Sequence, residues 1–172
     1  MSDPAAVTAR WRQVLADVGY LRREVRRLGP KDEYVRHAHD FDEAAVRDVA
    51  AFERVYERLA NELDHLVRDY LRKMASSREA AHTIEGSSMA AVLGGFATAR
   101  KLPAASTDSL RRAANARNDL QHDYVNLRAA EVFDGAHQLL LGMPGVLDAV
   151  REAWADQGVT LPAPPLPRQS PG

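Results

Sequence analysis

The chain contains no cysteine among its 172 residues. Without cysteine it has no disulfide framework and no thiolate ligand for zinc, which suits a reducing compartment. It also has no apolar run near the roughly 20 residues that cross a bilayer, and its first residues lack the basic start and apolar centre of a signal peptide. We therefore expect a cytoplasmic protein that does not enter a membrane.

Net charge is small as well. Lys and Arg number 23 against 24 Asp and Glu, which gives a formal net charge of -1, so the whole molecule is not expected to attract nucleic acid by charge alone. Basic residues nevertheless gather in one stretch, in which Asp108 is the one acid: Arg100, Lys101, Arg111, Arg112 and Arg117. Such a zone either holds phosphates or is a solvated charged face.

Two long stretches carry apolar residues at alternating spacings of three and four. The first covers residues 5–28 with Val7, Trp11, Val14, Val18, Leu21, Val25 and Leu28. The second runs from about Glu43 to Met74 with Val49, Phe52, Tyr56, Leu59, Leu63, Leu66 and Tyr70. This periodicity predicts two long helices that pack antiparallel. Because no segment alternates with a period of two, we expect an all-α bundle with three or four further, shorter helices.

The next helix has a clear start signal. Ser76 and Glu79 have the spacing of a capping box, which predicts a helix from there to about Leu93. The pair Gly94-Gly95 is expected to end that helix, because glycine has low helix propensity. Residues 96–105 then form a predicted loop.

The last third of the chain is expected to hold two or three helices and a tail. Ser106-Thr107-Asp108 predicts one helix start. Later apolar spacing predicts helices that are interrupted at Gly142-Met143-Pro144. Residues 1–157 form one predicted helical domain, and residues 158–172 form a proline-rich tail without a helical pattern, expected to be disordered or extended.

One stretch departs from ordinary bundle chemistry, the run from Arg117 to Tyr124 with the sequence RNDLQHDY. Asn118 and His122 are four residues apart and share a helix face. Arg117 and His122 differ by roughly 140° around a regular helix, so they cannot converge on one atom. Either the helix bends near His122, or a second copy completes the site across a two-fold axis. We favour the second explanation, which predicts a homodimer.

The residue types in this run suit metal-independent RNA cleavage. That reaction needs a proton acceptor for the ribose 2′-hydroxyl, positive charge on the phosphorane and a proton for the 5′-oxygen. His122 has an ordinary pKa near neutrality, and Arg117 offers a bidentate fork to phosphate oxygens. Asn118 can hold either the imidazole or the phosphate. The ordinary alternative is helix-end capping with Arg117 paired to a neighbouring acid.

A metal site is not expected. The segment 31–43 holds His37, His39, Asp40 and Asp42, and these residue types are metal ligands. The segment nevertheless has the composition of a connecting loop, and no matching motif such as H-E-x-x-H occurs elsewhere.

The motif of Arg117, Asn118, His122 and Tyr124 resembles the R-N-x-x-x-H-x-Y signature of the HEPN superfamily, and in particular of the HepT-like toxins. Those proteins are small all-helical ribonucleases encoded beside a minimal nucleotidyltransferase antitoxin. The resemblance in architecture covers residues 5–157, and the eight-residue motif is its specific part. It implies an endoribonuclease toxin of a type VII-like pair, without cofactor or metal. Arg117 and His122 would be catalytic at a dimer interface.

The same resemblance implies how the nuclease is controlled. In the HepT-like group the antitoxin attaches AMP to the motif tyrosine, which matches Tyr124. The implied partners are a second copy of the chain, a nucleotidyltransferase and RNA, for which Arg100, Lys101, Arg111 and Arg112 are candidate contacts. Two alternatives remain: an inactive HEPN protein that only docks onto a nucleotidyltransferase, and a generic helical interaction module.

Overall fold

The computed structural model describes residues 3–27, 43–108, 110–111, 114–115 and 129–164. No strand occurs among these residues, and most of them are helical. The expectation of an all-α protein is therefore confirmed. None of the helices in this part of the chain combines the length and the hydropathy that a membrane span requires.

Five helices have defined bounds: α1 (Pro4–Arg27), α2 (Glu43–Met74), α3 (Arg78–Gly86), α4 (Met89–Ala99) and α5 (Ala129–Ala155). Residues 104–108, 110–111 and 114–115 are helical as well. The first two helices have the lengths that the two apolar stripes predict. α3 and α4 pack against α2, and α5 packs against both α1 and α2.

Ion pairs along α1 and α2 show that these helices run antiparallel. Residue numbers rise on α1 while they fall on α2 in three pairs, Arg10–Glu62 at 3.1 Å, Asp17–Arg58 and Arg27–Asp48 at 2.8 Å. Between them the two apolar stripes meet. The stripe residues from Val7 to Leu21 on α1 and from Val49 to Tyr70 on α2 are buried, and Val25 is partly buried against the same core. The pairing therefore fixes the register of one helix on the other.

The core is built from large side chains of several helices. Trp11 of α1, Phe52 and Tyr56 of α2, Phe96 of α4 and Trp154 of α5 are all fully buried. Burying one such side chain contributes roughly 1.5–3 kcal/mol. The helices are thus joined through one continuous apolar cluster.

The predicted break at Gly94-Gly95 is wrong, because both glycines lie inside α4. Glycine in a helix costs about 1 kcal/mol relative to alanine. Here Leu93, Phe96 and Ala97 are buried on either side of the pair, and this burial outweighs the low propensity. Much of the predicted loop over residues 96–105 is therefore helical, and Phe96 belongs to the core.

The break occurs instead at Ser87 and Ser88, where α3 ends and α4 begins. Ser77 caps α3, since its Oγ accepts from the backbone N–H of Ala80 at 3.1 Å. Ser88 caps α4 in the same way, accepting from Ala91 at 3.2 Å. A serine oxygen satisfies an N–H group that the first helical turn leaves unpaired. The N-cap of α3 is therefore one residue later than the Ser76 spacing predicts. Ser88 begins a new helix at a position that the prediction based on Gly94-Gly95 did not include.

A half-buried guanidinium closes the end of α3. Arg68 of α2 donates to the carbonyl oxygens of Ile84, Glu85 and Ser87. Asp64, which is 7% exposed, holds Arg68 through a hydrogen bond of 2.9 Å. The last carbonyls of a helix have no intrahelical partner, so this pair satisfies them and fixes the corner between α3 and α4.

The predicted interruption at Gly142-Met143-Pro144 is also wrong. α5 continues through Pro144 and is 27 residues long. An internal proline removes one backbone hydrogen bond and crowds the preceding turn. Met143, Val146 and Leu147 around it are all buried while Pro144 itself is exposed, so packing of this face holds the helix together across the proline.

The chain turns back onto α1 after α5. Gly158 has a φ of +75°, a left-handed conformation that glycine adopts without steric cost. Val159 and Leu161 are buried, and the indole Nε1 of Trp11 donates to the carbonyl oxygen of Pro162 at 2.8 Å. The first described residues of the predicted tail are thus non-helical and packed, while residues 165–172 lie outside the described residues.

Candidate functional site

The motif residues themselves lie outside the described residues. This applies to Arg117, Asn118, His122 and Tyr124, and to Arg112 of the basic zone. The relative geometry of the catalytic pair therefore stays a prediction. What the structure places is the helical segment that leads to the motif and the other three basic residues.

That helical segment begins earlier than predicted. Its first turn follows Pro103, whose carbonyl oxygen accepts from the backbone N–H groups of Ser106 at 2.9 Å and Thr107 at 3.1 Å. Residues 104–108 are helical, so Ser106 lies within the first turn and is not the cap. Proline suits this position, because its missing N–H and fixed φ cost a helix start nothing.

The same segment is anchored in the core before it reaches the motif. Leu110 and Ala114 are buried at 1% and 0% exposure, and Ser106 is buried beside Gly145 of α5. A Cβ added to Gly145 would lie 3.6 Å from the Ser106 Oγ, so the Ser106 side chain lies within van der Waals reach of α5 at this position. The chain that enters the motif is therefore held by apolar packing.

Arg100, a candidate RNA contact, is engaged by carboxylates at the end of α5. Its guanidinium donates to Asp156 at 2.8 Å and to Glu152 at 3.3 Å. Its pKa lies above the ordinary value, chiefly because of the hydrogen bond to Asp156 and with a further contribution from Tyr70, although burial acts in the opposite direction. A phosphate would have to compete with these two carboxylates for Arg100.

Lys101 directly follows Arg100 and is exposed. It has a φ of 53°, the left-handed conformation. Its backbone N–H donates to Thr98, and that of Leu102 donates to Ala97 at 2.8 Å. This is the double hydrogen bond of a Schellman end, where glycine is the usual residue. Lys101 therefore ends α4 and leaves its ammonium group at the surface.

Arg111 is exposed and forms an ion pair with Asp108 at 3.1 Å, one helical turn earlier. Exposed pairs of this kind contribute about 0–1 kcal/mol, so a phosphate can displace Asp108 at small cost. Arg111 thus lies on the surface of the helical segment that precedes the motif.

No group of three or more metal-binding side chains occurs in the parts of the chain that the structure describes. The candidate cluster of His37, His39, Asp40 and Asp42 lies outside those parts.

The structure also brings together residues that the sequence patterns did not single out. A groove of about 430 Å³ lies between α1 and α2. We call it the α1–α2 groove; its lining residues are Gln13, Ala16, Asp17, Tyr20, Arg23, Ala51, Arg54, Val55 and Arg58. Three guanidinium groups and one aromatic ring thus border a single cavity.

Asp17 lies in this groove as a buried carboxylate, 1% exposed. It accepts from the amide nitrogen of Gln13 at 2.8 Å and from the Nε of Arg58 at 2.8 Å, and a second nitrogen of Arg58 also donates to it. The hydrogen bond to Asp17 raises the pKa of Arg58, while burial acts against it. In the sequence, Asp17 stands beside the stripe residue Val18, which is a signal that its carboxylate is buried. The sequence does not reveal its partner, because Arg58 lies 41 residues away.

The described residues thus define an all-helical protein with a core-anchored approach to the motif and a separate arginine-lined groove. No protein-family model matches the chain, and it matches neither a curated protein nor a solved structure.

Proposed function

We propose that this chain is a HEPN-like endoribonuclease that acts as a homodimer and is the toxin of a pair with a nucleotidyltransferase antitoxin. The observation that carries the proposal is the spacing of Arg117, Asn118, His122 and Tyr124. Support comes from its setting, since two long antiparallel helices and a core-anchored helical segment precede it. Such an anchored segment suits a catalytic group that must be held in place.

The proposed chemistry needs no metal. The ribose 2′-oxygen loses its proton to one His122 imidazole and attacks the adjacent phosphorus, while the bond from phosphorus to the 5′-oxygen breaks. The His122 of the other protomer gives a proton to that 5′-oxygen. Arg117 stabilises the negative charge on the phosphorane oxygens through its bidentate fork, and Asn118 orients the imidazole or the phosphate. The products are a 2′,3′-cyclic phosphate and a 5′-hydroxyl.

Single substitutions in the motif test this mechanism. Arg117→Ala and His122→Ala should each lower the rate of RNA cleavage by far more than tenfold, where each factor of ten corresponds to about 1.4 kcal/mol of barrier. Arg78→Ala and His137→Ala remove an exposed arginine and an exposed histidine from α3 and α5, and they should leave the rate unchanged. The measurement is cleavage of a labelled RNA with detection of the cyclic phosphate, alongside circular dichroism.

Cleavage that persists in both motif variants would exclude the mechanism. The same conclusion would follow if the products carried a 3′-hydroxyl and a 5′-phosphate, because attack by the 2′-oxygen cannot produce them.

Two observations favour a second candidate, a HEPN-like protein without nuclease activity that docks onto a nucleotidyltransferase. Asp119 and Asp123 place negative charge inside the motif. In addition, Arg100 and Arg111 are already paired with carboxylates. This candidate predicts that the wild-type chain co-purifies with the nucleotidyltransferase encoded beside it but cleaves no RNA, whereas the nuclease proposal requires cleavage by the wild-type chain.

A further inference from the structure

The α1–α2 groove combines an aromatic face with guanidinium groups on both of its walls. Tyr20 and Arg23 belong to α1, and Arg54 and Arg58 belong to α2. The guanidinium carbon of Arg23 lies 5.9 Å from the centre of the Tyr20 ring. A Cβ added to Gly19 would lie 3.9 Å from an Arg23 nitrogen, so Arg23 folds back along α1 toward the ring.

The charges in the groove are only partly balanced. Asp17 neutralises Arg58, to which it is hydrogen-bonded through both carboxylate oxygens. Neither Arg23 nor Arg54 forms an ion pair with any residue that the structure describes. Both of these arginines are exposed. Within the described part of the chain, the groove therefore presents two guanidinium groups without an ion-pair partner, one on each helix, beside a tyrosine ring.

The combination of guanidinium groups and a tyrosine ring indicates which class of ligand the groove suits. Guanidinium groups bind phosphate oxygens through two parallel hydrogen bonds. A tyrosine ring with small apolar neighbours, here Ala51 and Val55, offers a stacking surface for a nucleobase. The volume of about 430 Å³ lies within the range of roughly 300–1,000 Å³ for small-molecule sites. An acidic peptide would use the charges but would leave the ring face without a stacking partner.

We propose that the α1–α2 groove binds a nucleotide, with its phosphate between Arg23 and Arg54 and its base against Tyr20. The ligand is either a free mononucleotide or one nucleotide of a single-stranded RNA, since both present the same phosphate and base. Arg58 and Asp17 form the floor that holds the two helices in register. The proposal uses no residue of the motif from Arg117 to Tyr124, so it goes beyond the proposed nuclease.

The test measures binding without cleavage. The probe is a fluorescein-labelled 2′-O-methyl hexauridylate, which cannot be cut through its 2′-oxygen, and fluorescence anisotropy is recorded with the full chain over a range of salt concentrations. The groove variant is Arg23→Ala with Arg54→Ala. Its matched control is Arg12→Ala with Arg78→Ala, which removes the same charge from two exposed arginines outside the groove. Tyr20→Ala and Tyr20→Phe test the stacking surface.

We expect the groove variant to bind at least tenfold more weakly than both the wild type and its control. The slope of log affinity against log salt should fall by about 0.7, which corresponds to the loss of one phosphate contact on a single strand. Tyr20→Ala should weaken binding by about tenfold, and Tyr20→Phe should retain it because the ring remains.

Competition identifies the source of the nucleotide. Displacement of the probe by AMP at micromolar concentration indicates a free nucleotide, and displacement by unlabelled oligomer alone indicates an RNA strand; both results support the groove site. The proposal is overturned if the wild type binds neither ligand, or if the control loses as much affinity as the groove variant. Because Arg117→Ala leaves the groove intact, binding that survives in that variant separates this site from the nuclease proposal.

Discussion

At the scale of single residues, the buried carboxylate Asp17 makes Arg58 important for stability. Arg58→Ala would leave Asp17, which is 1% exposed, without its guanidinium partner. Removing one member of a buried pair costs about 3–5 kcal/mol. The side chain of Arg58 is itself 51% exposed, so water can replace part of the lost interaction, and we expect a loss of about 2 kcal/mol in the free energy of unfolding.

Urea denaturation followed by circular dichroism measures this loss. Arg12→Ala, an exposed position on α1, is the matched control and should change stability by less than about 0.5 kcal/mol. The double change Asp17→Leu with Arg58→Leu removes both charges and should be less destabilising than Arg58→Ala alone. If Arg58→Ala matched its control, the pair would contribute nothing to folding.

Lys101 offers a gain in stability at a single residue. Its φ of 53° costs a non-glycine residue roughly 1–2 kcal/mol. Glycine removes that strain. Its greater conformational freedom in the unfolded chain cancels about 0.5–1 kcal/mol of this gain in stability. Lys101→Gly should therefore raise the free energy of unfolding by about 0.5–1 kcal/mol, read from the midpoint of a urea titration. A lower midpoint would mean that the lysine side chain stabilises the end of α4.

At the scale of elements, α5 tolerates a proline that removes one of its backbone hydrogen bonds. An internal proline costs a helix about 3 kcal/mol relative to alanine, while it restricts the unfolded chain by about 0.4–1 kcal/mol. Pro144→Ala leaves the buried face of α5 unchanged, because Pro144 is exposed. We expect the substitution to raise the free energy of unfolding by about 2 kcal/mol. Thermal unfolding checks this, with Ala155→Gly at an exposed position in the last turn of α5 as an opposite, destabilising control.

The observed helix bounds show which parts of the fold the sequence patterns predict correctly. The stripes of α1 and α2 predict both helices well, because each spans many turns and every turn adds to the same periodic signal. The helix breaks predicted at Gly94-Gly95 and at Pro144 are wrong. The low helix propensity of these residues costs about 1–3 kcal/mol, and burial of neighbours such as Phe96 and Met143 outweighs that cost. The serine caps Ser77 and Ser88, which begin α3 and α4, are local features whose hydrogen bonds depend on the chain direction at each corner.

The residues proposed for function also differ in whether the sequence alone reveals them. The motif from Arg117 to Tyr124 can be read from sequence because its residues lie within eight consecutive positions. The α1–α2 groove cannot, because Asp17 and Arg58 are 41 residues apart and meet only when two helices pack in one register. Side-chain spacing along one helix carries no information about that register.

At the scale of the whole molecule, control by a partner enzyme is the central prediction. Co-expression with a nucleotidyltransferase antitoxin, the partner in the proposed function, should add the mass of one AMP per protomer at Tyr124 and abolish RNA cleavage, because the added phosphate and base bring negative charge and bulk to the motif. Intact-mass spectrometry measures the addition. Tyr124→Phe should remain unmodified, while Tyr20→Phe, a change of the half-buried tyrosine on α1, should be modified as the wild type is. AMP found on Tyr124→Phe would assign the modification to another residue.

The hydrogen bond from Trp11 to Pro162 joins positions that are 151 residues apart. During synthesis α1 is made before the other described helices, yet the Trp11 indole cannot reach its final acceptor until the ribosome has polymerised all of them. A nascent chain therefore carries one side of this core uncovered until Pro162 has been added, and termination within α5 would release a molecule whose α1 is still incompletely covered.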